Sequence, residues 1–120
     1  MESGIWKACS IDSVSVCAPG GCTTTRPGIS IFVSDYLDHG TERAAYYRCG
    51  LKLADCDRYR ALVYRTGDFT IFSLPERSVF AKVGPDDRIT DVAGQADVVS
   101  ISRGKCINAA PPPESSLRSR

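Results

Sequence analysis

Cysteines are the residues of this sequence with the most evident chemistry. The chain has 120 residues and six cysteines, and an even number in a small chain is typical of a disulfide framework. They are Cys9, Cys17, Cys22, Cys49, Cys56 and Cys106. Because disulfides persist in oxidising compartments, the cysteines predict a periplasmic or secreted protein.

Local geometry favours two of the possible pairs. Cys17 and Cys22 flank an Ala-Pro-Gly-Gly turn that would bring two strand ends to disulfide distance. Cys49 and Cys56 flank another connection of hairpin size. Cys9 would then bond to Cys106 and tie the first strand to the last, which contributes about 4–5 kcal/mol in the chain-entropy model. Sequence alone leaves other pairings open.

A structural zinc site is the alternative use of the cysteines. Four residues separate Cys17 from Cys22 and six separate Cys49 from Cys56, whereas zinc knuckles favour closer pairs. His39 is the one histidine of the chain, and C-x-x-C, the redox motif, does not occur. We therefore predict disulfides, no metal and no cofactor.

Acid–base chemistry has one candidate, the group Asp35, Asp38 and His39. A carboxylate beside a histidine could transfer protons or bind a metal. One histidine on one loop makes a poor metal cage, and a Cys–His nucleophile would need a free thiol. We interpret the group as a polar turn and predict no catalytic residues.

A second acidic group consists of Asp86, Asp87 and Asp91. Its spacing lacks the alternating acidic positions, central glycine and late glutamate of a calcium loop. A solvated β-turn is the preferred interpretation. The sequence also lacks the nucleophile elbow, the phosphate loop, the zinc-protease helix motif and the dinucleotide-binding motif. These observations predict that the protein is not an enzyme.

Arginines and tyrosines are concentrated in the middle of the chain. Both residue types are enriched at protein interfaces. The weak binding candidates are Tyr46, Tyr47, Arg48, Arg58, Arg60 and Tyr64, with Tyr59 and Arg65 beside them. The competing and preferred interpretation is a β surface that carries extended arginines and half-buried tyrosines.

In the segments that carry these residues, apolar side chains recur at every second position. Between residues 29 and 37, Ile29, Ile31 and Val33 share one face. Apolar parity shifts between Ile11 and Val14, which predicts a bulge or turn at Asp12–Ser13. From residue 61 to 106, strands and turns recur about every nine to twelve residues. We predict an all-β meander of about seven to eight strands, as a small barrel or a two-layer sandwich.

A short helix is also possible near Thr41–Arg48. Thr41 could cap it and Gly50 could end it, although Tyr46–Cys49 has the composition of a strand. One disulfide-linked domain is predicted over residues 1–106. Residues 107–120, with their run of three prolines and their Ser and Arg, are predicted to be a disordered tail.

Charge and hydropathy narrow the function classes. Fifteen basic and 14 acidic residues nearly cancel, which argues against a nucleic-acid binder. No apolar run approaches the ~20 residues of a transmembrane helix, so no transmembrane segment is predicted. The first residues show no signal peptide, so export requires that a signal was removed.

These patterns together favour a non-catalytic binding module of the cell envelope or exterior. Its partner would be a protein or a small apolar ligand, since a disulfide-held β scaffold presents rigid loops. One alternative is an inhibitor of a secreted enzyme that acts through a disulfide-held loop, either the turn between Cys17 and Cys22 or the loop between Cys49 and Cys56. A structural zinc-binding domain is the other alternative.

Overall fold

The protein folds almost entirely into β-strands. The computed structural model describes residues 6–25, 29–34, 43–50 and 55–110. The strands are β1 (Trp6–Ala18), β2 (Gly21–Thr25), β3 (Ile29–Ser34), β4 (Arg43–Gly50), β5 (Asp57–Thr66), β6 (Phe69–Leu74), β7 (Val79–Val83), β8 (Arg88–Gln95) and β9 (Val98–Asn108). A 3₁₀ turn, Pro75–Arg77, joins β6 to β7.

Antiparallel pairing closes eight of these strands into a barrel. From β3 to β9 each strand pairs with the next in the chain, and β1 pairs with both β3 and β9. β2 is additional, because it pairs only with Val14–Ala18 of β1 while β3 pairs with Trp6–Ser10. The all-β prediction is confirmed, and the β1–β9 pairing makes the fold a barrel rather than a sandwich.

Alternating side chains fill the barrel. Along β7 the burial alternates residue by residue, as expected when successive side chains point to opposite faces. The interior core includes Cys9, Ile31, Val33, Tyr46, Ala61, Phe72, Leu74, Val79, Ala81, Val83, Ile89 and Cys106. An eight-stranded barrel is just wide enough for such side chains to fill it, so the core of this barrel is packed.

A smaller apolar cluster lies on the outer face of the barrel. Phe32 falls between two inward residues of β3 and therefore points outward, and it packs with Tyr47 and the Cys49–Cys56 disulfide. Trp6 meets Tyr47 edge-on, with ring centroids 5.6 Å apart. This outer cluster fastens the start of β1 to β3 and β4.

The seam between β1 and β9 is irregular at one point. The register shifts between Ile11 and Ser13, which leaves Asp12 as the extra residue of a bulge and confirms the predicted irregularity there. Gly104 lies opposite Ile11. A Cβ atom on Gly104 would lie 1.9 Å from the carbonyl oxygen of Ser10, so this close approach of two backbones requires glycine.

Three disulfides join neighbouring strands. They are Cys9–Cys106, Cys17–Cys22 and Cys49–Cys56, the pairs that the spacing and turn geometry favour. Because all six sulfurs are bonded in this way, none is a thiolate that could bind zinc. Three disulfides fit a protein of a non-cytoplasmic, oxidising compartment.

Two sequence-based expectations differ from the structure. The helix predicted near Thr41–Arg48 is wrong for residues 43–48, which belong to β4. Pairing of β4 with β3 on one edge and β5 on the other outweighs the local helix preference. β9 also continues to Asn108, two residues into the segment predicted to be disordered. Residues 111–120 lie outside the described part of the chain.

Within the described ranges, no helix has the length and apolar character needed to cross a membrane.

Candidate functional site

A cavity opens at the end of the barrel that carries the β6–β7 and β8–β9 turns. We call this end the mouth, and its cavity has a volume of about 550 Å³. Residues from β4, β5, β8, β9 and the two turns line it, among them Arg48, Tyr59, Arg77, Ser78, Gln95 and Ser100. A second cavity of about 390 Å³ also has Arg48 and Tyr59 in its wall. These two residues therefore lie where the two cavities meet.

Beneath the mouth, three polar side chains meet inside the barrel. Tyr46 and Arg48 are two residues apart on β4 and thus share its inward face. The hydroxyl of Tyr46 donates a hydrogen bond to Oδ2 of Asp91, and Arg48 Nη2 donates one to Oδ1 over 3.3 Å. Asp91 is completely buried. Because a buried carboxylate is costly unless its oxygens accept hydrogen bonds, this network is what makes Asp91 tolerable in the interior.

The network also bridges strands that are not neighbours. Asp91 lies on β8, which three strands separate from β4 in the order of the sheet. Both hydrogen bonds to its carboxylate therefore cross the interior of the barrel. Asp91 holds the Arg48 guanidinium from the opposite wall, just below the mouth.

Arg48 has one donor that the described residues do not satisfy. Its Nε atom is buried and has no hydrogen-bond partner among them. A buried unpaired donor costs about 1–3 kcal/mol, and such groups are rare enough to require an explanation. The side chain as a whole is 27% exposed and lines the cavity, so parts of it other than the covered Nε can be reached from the mouth.

The rim of the mouth combines a cation–π contact with residues in left-handed backbone conformations. Arg77 lies over the ring of Tyr59, with Cζ 5.0 Å from the centroid. Ser78 and Ala96 have left-handed backbone, each with φ of 55°, and Asp55 beside the second cavity has φ of 54°. Left-handed backbone is uncommon outside glycine and concentrates at functional sites.

Burial sets the ionisation of Tyr46. Its complete burial raises the pKa of the hydroxyl well above 10.0, and the neighbouring Asp91 carboxylate raises it further. In the unfolded chain the same hydroxyl has a pKa of about 10. The folded state therefore keeps a proton that the unfolded state loses in alkaline solution.

We expect stability to fall steeply with alkaline pH because of Tyr46. Its contribution is fully present below pH ~10 and is lost above that value, by up to about 1.4 kcal/mol per pH unit. Urea unfolding at a series of pH values should show this slope in the wild type. Tyr46→Phe should reduce the dependence of stability on pH by the contribution of one proton, up to about 1.4 kcal/mol per pH unit. Parallel pH profiles of the two proteins would contradict the role of Tyr46.

The structure divides the weak binding candidates between the two faces of the barrel wall. Tyr46 and Arg48 point inward to the network below the mouth. Tyr47 belongs to the outer cluster beside Trp6. Along β5, the positions of Arg58, Arg60 and Tyr64 alternate with the inward residues Tyr59, Ala61 and Val63. The predicted cluster is therefore not one continuous surface.

Asp91 is the site residue that the sequence interpretation misassigned. We expected it to lie in a solvated turn with Asp86 and Asp87, which are indeed in the β7–β8 turn region, but Asp91 is inside the barrel. Its parity with Ile89 and Ala93 on β8 was the available signal, since both pack against the interior core.

The remaining chemical candidates give no centre that the structure describes. Asp35, Asp38 and His39 lie outside the described residues. Across the described residues, no three side chains of His, Cys, Asp or Glu are grouped as a metal site would require.

Fold and site together define a class: a small, disulfide-linked, closed antiparallel β-barrel with a polar mouth. No protein-family model matches the chain, and no curated protein or solved structure is significantly similar to it.

Proposed function

We propose that this protein is a non-catalytic binding module of the cell envelope or exterior, which holds a small ligand in its mouth. The observation that carries the proposal is the cavity of about 550 Å³ whose wall contains Arg48, a partly exposed cation held by Asp91. Cavities of roughly 300–1,000 Å³ with a few well-placed polar groups are typical small-molecule sites.

Rigidity of the mouth supports binding. Its walls are paired strands, and the Cys49–Cys56 disulfide joins the end of β4 to the start of β5 beside the second cavity. A preformed site loses little conformational entropy when a ligand enters. The disulfides themselves support a location outside the cytoplasm.

The lining supports a ligand with both polar and apolar parts. Ser78, Gln95 and Ser100 offer hydrogen bonds, whereas Val79 and Val98 offer apolar contact. A wholly apolar ligand would bury these polar groups without partners, at a cost of about 1–3 kcal/mol for each. Below the mouth the interior is already filled by core side chains, so the ligand would stay at the open end.

The β1–β2 hairpin supports a second candidate, the inhibitor of a secreted enzyme. All five residues of β2 are exposed, and the Cys17–Cys22 disulfide closes the hairpin next to its turn. A rigid exposed loop of this kind can enter a cleft of another protein at low entropic cost.

A fragment screen by ¹H–¹⁵N NMR tests the first candidate against the second. We expect amide shifts from small polar fragments to concentrate at the mouth, for example at Ser78, Ala96 and Val98. Ser100→Phe, which fills the cavity, should weaken binding at least ~10-fold. The control Thr66→Phe, an exposed change at the opposite end of the barrel, should leave affinity within about 2-fold.

Two outcomes would contradict binding at the mouth. One is the absence of any fragment that shifts the mouth amides. The other is equal affinity in the Ser100→Phe variant and the wild type. Shifts confined to β1 and β2 would favour the inhibitor instead.

A further inference from the structure

We propose that the ligand of the mouth carries a carboxylate group and that Arg48 binds it through the terminal guanidinium N–H groups that Asp91 does not engage. This inference rests on the proposed function, since it names the chemistry of the ligand at the same site. Four features of the mouth carry it: the donors that Arg48 leaves unused, its accessibility, the charge around it and its fixed orientation.

The donors of Arg48 match a carboxylate in number and direction. A guanidinium has five N–H groups in a planar fork that suits two oxygens side by side. Nη2 carries two of these hydrogens, and one of them is directed to Asp91 Oδ1. Nε is buried, so the terminal N–H groups that do not point to Asp91 are the ones left for a two-oxygen acceptor.

A ligand can reach the terminal N–H groups of Arg48 from either cavity. Arg48 and Tyr59 line both of them, and the Arg48 side chain is 27% exposed. The aromatic ring of Tyr59 in the wall of the same cavities can supply apolar contact for the rest of the ligand, on the face that Arg77 does not cover. A carboxylate attached to a flat or aliphatic body of modest size fits this pairing.

Charge around the mouth favours a monoanion over a phosphate dianion. Arg48 and Arg77 are positive, but Glu76, Asp55 and Asp57 line the same two cavities. A second negative charge on the ligand would be repelled by these carboxylates, which a single charge paired with Arg48 would tolerate better.

Arg48 is also held in place before a ligand arrives. Asp91 accepts hydrogen bonds from both Tyr46 and Arg48, so the guanidinium has a fixed partner on its inner side. Binding a carboxylate then requires little further loss of side-chain freedom.

Three probes test the inference on the disulfide-bonded protein. They are benzoate, its neutral analogue benzamide, and inorganic phosphate, each titrated by ¹H–¹⁵N NMR with the mouth amides as the readout. We expect benzoate to bind at least ~10-fold more tightly than benzamide, because charge-assisted hydrogen bonds exceed neutral ones in strength. Phosphate should bind at least ~10-fold more weakly than benzoate.

Variants assign the preference to Arg48. Arg48→Gln should bring benzoate and benzamide to within about 2-fold of each other. Arg48→Lys keeps a positive charge near Asp91 if the glutamine variant fails to fold, and its loss of the planar fork should lower the preference at least ~3-fold. Arg103→Gln, an exposed change on β9 outside both cavities, is the matched control and should keep the preference of the wild type.

The outcomes separate this inference from the proposed function. Equal binding of benzoate and benzamide at the mouth, or phosphate binding as tight as that of benzoate, would overturn the carboxylate inference and leave ligand binding at the mouth intact. An unchanged preference in both Arg48 variants would overturn the assignment to Arg48. Failure of all fragments and probes to shift the mouth amides would overturn the proposed function itself.

Discussion

Gly104→Ala is expected to destabilise the barrel by about 3 kcal/mol or more. The added Cβ would meet backbone atoms, at 1.9 Å from the Ser10 carbonyl oxygen and 2.8 Å from Ile11 Cα. Backbone cannot rotate away as a flexible side chain can, so β1 and β9 would have to separate at the bulge. Urea unfolding of the disulfide-bonded protein measures the loss.

Gly94→Ala is the matched control for this change. Gly94 lies on β8, which also pairs with β9, and a Cβ atom there would meet no atom within 4 Å. We expect its effect to stay within about 1 kcal/mol. Equal effects of the two substitutions would show that the seam at Gly104 relaxes and that close backbone approach does not constrain it.

Asp91→Ala should lower the free energy of unfolding by about 2–4 kcal/mol, because it leaves the other two members of the network without their common partner. Tyr46 would keep a buried hydroxyl without its acceptor, and Arg48 would lose the carboxylate that balances its charge. The lower end of the range reflects the partial exposure of Arg48, 27%. Chemical denaturation of the variant measures the change in the free energy of unfolding.

Two further variants test whether the loss comes from the network. Asp97→Ala removes an exposed aspartate at the β8–β9 turn and should change stability by less than about 0.5 kcal/mol. The triple variant Tyr46→Phe, Arg48→Met, Asp91→Leu replaces the whole network with apolar side chains and should recover most of the stability. A triple variant no more stable than Asp91→Ala would indicate that the loss of stability comes from packing and not from buried polar groups without partners.

Local pattern was enough to predict the strands and two of the disulfides, and the third, Cys9–Cys106, followed by elimination. Alternation in Ile29–Ser34 follows directly from the two faces of a strand, and the turn between Cys17 and Cys22 places those sulfurs on adjacent strands. Such features depend on residues close together in the chain. The parity shift at Asp12–Ser13 is of the same local kind, and it identified the bulge.

The closure of the barrel and the polar network inside it could not be predicted from local pattern. A barrel differs from a sandwich here by the pairing of β1 with β9, whose members Cys9 and Cys106 are 97 residues apart in the chain. Asp91 is buried with partners 45 and 43 residues away, Tyr46 and Arg48. A carboxylate at an inward position resembles a solvated one until its distant partners are known.

The Cys9–Cys106 disulfide determines how the barrel responds to mechanical load. It joins the first and last strands close to the two ends of the described chain, and the same region carries the backbone hydrogen bond from Ala109 to Trp6. A force applied to both ends would be carried by the Cys9–Cys106 disulfide and not by the residues between the two cysteines. After reduction, the same force could extend that segment to about 320–350 Å once the strands separate. Tethered at one end and pulled at the other, the oxidised barrel would keep its mouth undistorted.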